Sequence, residues 1–414
     1  MGLETDTIHH ADAFDVLPEL PSNSIHACVT DPPYGLAFMG RDWDDFEPKE
    51  YQAWSERWAR AVKRVLKPGG HMLAFSGNRT HHRLFAGVED AGFEIRDTIT
   101  WHYGSGFPKA LDVSKAIDKQ ADAEREVVAE NPSGRSYAAE KRTEGRSQSG
   151  RTIHAPITAP ATNAAKQWDG WKTALKPATE YVVMARKPFD GTVAENVQTH
   201  GTGALNIGEC RVGSDELEYT VTDQRGGHVG GDNSRQSGPV EVEGRYPSNV
   251  VFDDEEADRL DRRVGTLESG SRSAGTYDTA DGDVYGSFDE SQRPALSGSR
   301  GGPSRYFYTS KASRSERTHD DTIANTHPTV KPVDLMEWLI KLVTADGQIV
   351  LDPFVGSGTT AVAAKRLNRQ FVAIEREPEY VSLAQARAGL TPDDPSVVRD
   401  DDAQQGFDAF TEDA

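Results

Sequence analysis

Between Ile349 and Glu375 two apolar runs flank a glycine-rich turn, and this spacing constrains the fold more than any other stretch of the chain. Ile349-Val350-Leu351 is short and continuously apolar, the pattern of a buried strand. Asp352-Pro353-Phe354-Val355-Gly356-Ser357-Gly358 then makes a turn, Ala361 to Leu367 reads as a helix, and Gln370-Phe371-Val372-Ala373-Ile374 reads as a second strand ending at Glu375. Two strands joined through one helix pair in parallel, so the chain is expected to build an α/β sheet. Glycines let backbone approach a ligand closely, and a helix amino terminus offers unpaired N–H groups. An acid closing the second strand commonly holds ribose hydroxyls. The stretch reads as half of a nucleoside-cofactor site. It departs from the dinucleotide pattern G-x-G-x-x-G, because Ala361 stands where the third glycine belongs.

A second constellation lies near the start. Ile25-His26-Ala27-Cys28-Val29-Thr30 has the length of one buried strand, and Asp31-Pro32-Pro33-Tyr34 follows it directly. Two successive prolines end the strand and enforce a rigid, extended turn. A carboxylate and an aromatic ring are thereby held at the carboxyl edge of the sheet, where open α/β folds place their chemistry. Taken alone, the turn also fits a strand ending in a solvated Asp.

Together the two stretches resemble the β group of DNA amino-methyltransferases, in which an Asp-Pro-Pro-Tyr motif precedes a Phe-x-Gly-x-Gly motif in circularly permuted order. Ala11-Asp12-Ala13 with Leu17-Pro18-Glu19-Leu20-Pro21, the turn Val65-Leu66-Lys67-Pro68-Gly69-Gly70, and His327-Pro328-Thr329-Val330-Lys331-Pro332 resemble further segments of that family. The resemblance covers 1–110 and 304–390 well and 165–210 loosely. It implies a Rossmann-like, mostly parallel seven-stranded sheet, opened between its second and third strands. It also implies methyl transfer from S-adenosylmethionine to adenine N6 or cytosine N4 of double-stranded DNA, with adenine favoured because cytosine enzymes often carry Ser where Asp31 stands.

The roles that follow are those the resemblance implies. Asp31 and the carbonyl of Pro32 would accept the two hydrogens of the amino group and favour a pyramidal nitrogen in the transition state. Pro33 would shape the turn, and Tyr34 would stack on a base flipped from the duplex. Phe354 would pack near the adenosine, Gly356 and Gly358 would admit backbone to the cofactor, Glu375 would hold the ribose, and Asp352 would lie near the methionine amino group. Thr329 and Lys331 would help at that end. Asp12 is either a solvated turn residue or a neighbour of the adenosine. No metal is required, and His9-His10 and His81-His82 lack ligand spacing.

Four segments are expected. Residues 1–103 form the catalytic half, 104–303 an inserted target-recognition region that includes a returning strand at 179–186, 304–390 the cofactor half, and 391–414 an acidic tail. Within the first, Trp54 and Trp58 lie at the apolar spacing of a helix over Tyr51 to Leu66 and read as core. Gly35 to Glu50, with Phe38, Trp43 and Phe46, either closes over a substrate or packs on the domain. Residues 122–170 are polar and basic, a solvated loop or a DNA-facing segment, and 222–303 read as mostly loop, with Gly244 to Phe252 as a strand-like island.

The formal net charge of −20 opposes DNA binding by a uniform surface. The charge is not uniform. Thr391 to Ala414 holds eight acids against Arg399, whereas Arg135 to Lys187 holds ten Lys or Arg against four acids. Arg142, Arg146, Arg151, Lys172 and Lys176, with Trp168 and Trp171 as stacking surfaces, are the candidate DNA contacts. Arg outnumbers Lys 31 to 15, which with the acidity points to a high-salt cytoplasm. Cys28 and Cys210 provide no disulfide framework. No apolar run approaches the roughly 20 residues of a membrane span, and no signal pattern opens the chain, so a soluble cytoplasmic protein is expected. A cognate restriction endonuclease is the natural partner of such an enzyme. Competing readings are a methyltransferase acting on a protein glutamine or on RNA, the large basic insertion arguing against a small protein substrate; a nicotinamide oxidoreductase, against which Ala361 argues; and a DNA-binding module without catalysis, against which the intact Asp31–Tyr34 motif argues.

Overall fold

The computed structural model describes residues 3–36, 44, 46–104, 106, 110–129, 156–220, 239–268, 275–276, 292–293, 299–310, 316, 322–323, 325 and 330–398. Among them, nine strands make one sheet: β1 Thr7–His10, β2 Ile25–Thr30, β3 Leu66–Ser76, β4 Glu94–His102, β5 Thr179–Arg186, β6 Val250–Phe252, β7 Tyr308–Thr309, β8 Ile349–Asp352 and β9 Gln370–Glu375. Their order across the sheet is β1-β9-β8-β2-β3-β5-β4-β6-β7. Every neighbouring pair is parallel except β5, which runs antiparallel to β3 and β4. The first seven strands of this order match the Rossmann-like α/β sheet expected, and β6 and β7 extend its edge. The first strand of the chain pairs with the last, His10 opposite Glu375, as the permuted order requires.

Both faces of the strands are buried, and neighbouring residues take opposite sides. Ala27, Val29, Leu73, Phe75, Phe371 and Ala373 join one core with helices α3 Val333–Val343 and α4 Thr359–Arg366. Cys28, Met72, Ala74, Val372 and Ile374 join the other, with α1 Pro48–Val65 and α2 His81–Asp90. The sequence of α1 explains its start. Glu47 and Glu50 form a reciprocal capping box around Pro48, so the helix begins three residues before Tyr51. Tyr51, Ser55, Trp58, Val62 and Val65 fall on its buried face, which puts Trp58 wholly in the core. A further helix, α5 Pro378–Arg387, follows β9.

One stretch differs from expectation. Asp254–Val264, within the segment read as mostly loop, is a helix: Asp253 caps it by accepting from Glu256 N at 2.8 Å, and the preceding β6 belongs to the central sheet. The chain divides into two compact units, one of Met1–Gly104 with Thr179–Ala414 and one of Ser105–Ala178. That unit is organised by polar groups. Asp118, wholly buried, accepts from Ala161 N (2.9 Å), Thr162 N (3.0 Å) and Thr162 Oγ1 (2.8 Å), and pairs with Arg125. These contacts tie the helix Val113–Gln120 to the segment that enters the helix Asn163–Gln167.

Candidate active site

The sheet brings the two motifs together. β8 lies beside β2, with Leu351 opposite Cys28, so both strands deliver their following turns to the same edge. Thr30, the last residue of β2, donates its hydroxyl to Asp352 Oδ1 at 2.6 Å. One contact thus couples the Asp31 turn to the glycine turn, across 322 residues of sequence.

Past Thr30, the Asp31 carboxylate is held from two sides. Tyr34 Oη lies 2.8 Å from Asp31 Oδ1, and the Lys331 ammonium pairs with Asp31 Oδ2. A second acid stands in the same cluster: Glu180, at the start of β5, lies 2.9 Å from Tyr34 Oη and 3.4 Å from Lys331 Nζ. Burial works against the Lys331 charge, but the two carboxylates outweigh it and hold its pKa above the ordinary value. Burial and the same two acids push the Tyr34 phenol well upward, so it remains protonated. The turn itself is braced. Tyr51 Oη donates to the Pro33 carbonyl at 2.9 Å, and Asp44 accepts from Gly35 N at 2.6 Å and Leu36 N at 3.2 Å.

On the other turn, Asp352 is buried and accepts from Thr30, from Thr360 Oγ1 at 2.5 Å and from Phe354 N at 3.0 Å. Burial lifts its pKa to about 6 in spite of these donors. Glu375 receives Gly356 N at 2.9 Å on one oxygen, and Arg376 N and Glu377 N, both at 2.9 Å, on the other. Gly356 and Gly358 both take positive φ, +51° and +85°. At Gly358 the reason is packing as well as conformation, since a Cβ there would come within 2.8 Å of Ala384 Cα in α5. The donor set fits a nucleoside that carries an amino acid. The glycine turn runs between two carboxylates, Asp352 and Glu375.

The other residues singled out from sequence fall in several places. Asp12 caps the short helix Ala13–Val16, accepting from Phe14 N at 2.9 Å, on the loop that follows the pairing of β1 with β9. The ring of Phe354 packs against Trp54 and Trp58, at 5.4 and 5.5 Å between centroids. Lys331, expected toward the methionine end, directs its ammonium to Asp31 and Glu180. In the Ser105–Ala178 unit, Trp168 and Trp171 are exposed with their rings edge to face at 4.9 Å. Lys172 there pairs with Asp112, and Lys176 is exposed. Thr329, Arg142, Arg146 and Arg151 lie outside the described residues. Sequence reasoning missed Glu180, Asp44 and Tyr51; the acid directly before the apolar run of β5 was the available signal for Glu180.

A family described as DNA methylase matches residues 25–386. The type II methyltransferase M.HindIII of Haemophilus influenzae is 23% identical over 93% of this chain and 96% of its own length. The type II methyltransferase M2.DpnII of Streptococcus pneumoniae is 53% identical over 16% of this chain and 24% of its own. The solved PvuII DNA methyltransferase, described as cytosine-N4-specific, superposes with a TM-score of 0.45 at 14% identity, covering 92% of this chain and 85% of that one. The chain belongs to the DNA methylase family defined by the N6 and N4 amino-methyltransferases, and is an S-adenosylmethionine-dependent DNA amino-methyltransferase.

Proposed function

We propose that the chain methylates adenine N6 in double-stranded DNA, with Asp31, Pro32, Pro33 and Tyr34 as the catalytic turn and Asp12, Thr329, Lys331, Asp352, Phe354, Gly356, Gly358 and Glu375 around the cofactor. The observation that carries this reading is the Thr30–Asp352 hydrogen bond, which ties the Asp31 turn to the glycine turn at one sheet edge. Bound S-adenosylmethionine supplies an electrophilic methyl group on a sulfonium. The protein's part is to make the amino nitrogen nucleophilic. The amino lone pair is delocalised into the base, and a carboxylate accepting one of the hydrogens favours the pyramidal nitrogen on which the pair is localised. Asp31 is already oriented for this by Tyr34 and Lys331. Tyr34 presents a ring to a base brought out of the stack, and the rest is alignment of nitrogen, carbon and sulfur.

Asp rather than Ser at the first position of the motif supports adenine over cytosine. The inserted region, 104–303, is assigned to target recognition, with Trp168, Trp171, Lys172, Lys176 and the arginines 142, 146 and 151 toward DNA. Similarity to two type II methyltransferases supports a cognate restriction endonuclease as partner. The acidic, arginine-rich composition supports a cytoplasmic protein of a high-salt cell. The test of the target atom is direct: DNA methylated by the purified protein is digested to nucleosides and weighed by mass spectrometry. N6-methyldeoxyadenosine is expected. Label on deoxycytidine alone would overturn the adenine assignment and leave the site intact.

A further inference from the structure

Glu180 is a carboxylate that the scheme above does not use, and it stands within reach of the residues that do the work. It opens β5 opposite Trp101 of β4, and the charged or titratable groups facing it come from three other elements. Asp31 and Tyr34 follow β2, Lys331 precedes α3, and Tyr103 follows β4. The phenol oxygen of Tyr34 is the pivot, 2.8 Å from Asp31 Oδ1 and 2.9 Å from Glu180 Oε2. A phenol has one hydrogen, so it donates to one carboxylate at a time and can accept from the other. Acid, hydroxyl and acid therefore form a chain along which a proton can move, and Lys331 touches both ends.

We infer that Glu180 takes up, through Tyr34, the proton that the amino group sheds on methylation. This rests on the reading of Asp31 given above. As the nitrogen–carbon bond forms, the carbon–sulfur bond breaks and its electron pair stays on sulfur. The nitrogen, now cationic, loses one hydrogen as a proton to Asp31. Asp31 passes a proton to the Tyr34 oxygen as the phenol hydrogen moves to Glu180 Oε2. Asp31 ends as a carboxylate again, and the released proton rests on Glu180. Glu180 touches no reacting atom; it is a positioning residue for the proton.

The test is single-turnover methylation by the full chain on a DNA substrate that it methylates, with Glu180→Gln, Glu180→Asp, Tyr34→Phe, the double variant Glu180→Gln/Tyr34→Phe, and Asp31→Ala. Glu180→Gln should lower the rate on the order of a hundredfold, the usual scale of a lost proton acceptor, with KM for S-adenosylmethionine unchanged. Glu180→Asp should recover part of it. The double variant should be no slower than the slower single variant. A Glu180→Gln rate within twofold of wild type, or losses that multiply in the double variant, would overturn the relay. If Glu180→Gln does not fold, Tyr34→Phe carries the same decision: a rate within twofold of wild type overturns the relay and a large loss at unchanged KM supports it. Asp31→Ala separates the two levels. If it is inactive while Glu180→Gln is normal, the relay alone is wrong; if it is active, the assignment of Asp31 falls first.

Discussion

Asp31 and Asp352 are carboxylates at the ends of adjacent strands, and their partners give them different work. Asp31 meets an ammonium and a phenol, and in the proposed reaction it is the acceptor for the amino group of the base. Its replacement by Ala should cost about 3 kcal/mol or more of transition-state stabilisation, a rate loss of roughly a hundredfold or greater, with cofactor affinity nearly intact. Near-normal turnover in the variant would remove Asp31 from the chemistry. Asp352 meets three neutral donors, and burial lifts its pKa from 3.8 to about 6. The folded state therefore holds this proton more tightly than the unfolded chain does. The stabilisation is fully present below about pH 4 and is lost as pH rises to about 6 and beyond, a change on the order of 3 kcal/mol. Asp352→Asn should flatten this part of the stability profile, and denaturant unfolding at pH 4.5 and pH 7 measures it. Equal pH dependence in both proteins would mean that another group sets the slope.

At the scale of elements, the glycine turn separates two requirements that its sequence merges. Gly358 has φ +85° and α5 passes close behind it, so Gly358→Ala should destabilise the fold by about 2 kcal/mol. Gly356 gives its N–H to Glu375, and Gly356→Val should chiefly weaken S-adenosylmethionine binding, which calorimetry on the folded variant reads out. If Gly356→Val binds normally, that position is outside the cofactor site. Both glycines were legible in the sequence, as were β2, β8, β9 and the helices around them, because fully buried parallel strands are written as continuous apolar runs. Glu180 was marked only as an acid before an apolar run; its place at the site depends on β5 returning antiparallel between β3 and β4, a pairing that no local pattern encodes. The helix Asp254–Val264 was hidden for another reason. Its apolar residues are Ala257, Leu260 and Val264, a narrow stripe among eight charged positions, and of these Ala257 is the one buried, so the pattern reads as a polar stretch.

At the scale of the whole molecule, a chain of net charge −20 must still hold a polyanion. Screening by salt weakens the general repulsion, but it weakens phosphate contacts as well, so affinity depends on where the positive charges are concentrated. Arg142, Arg146 and Arg151 lie in the basic stretch of the sequence, and Lys172 follows on the compact unit that contains that stretch. Lys172 is paired with Asp112, so a phosphate would have to compete with that carboxylate, and its contribution should fall short of a full contact. Each phosphate contact adds about −0.9 to the slope of log affinity against log salt. Replacing the three arginines by Gln should therefore flatten the slope by up to about 2.7, whereas adding Lys172→Gln should change it by clearly less than 0.9. Fluorescence anisotropy with labelled duplex across a salt series gives both numbers. A slope unchanged by the triple variant would make this stretch a solvated loop and move the DNA contacts to another part of the chain.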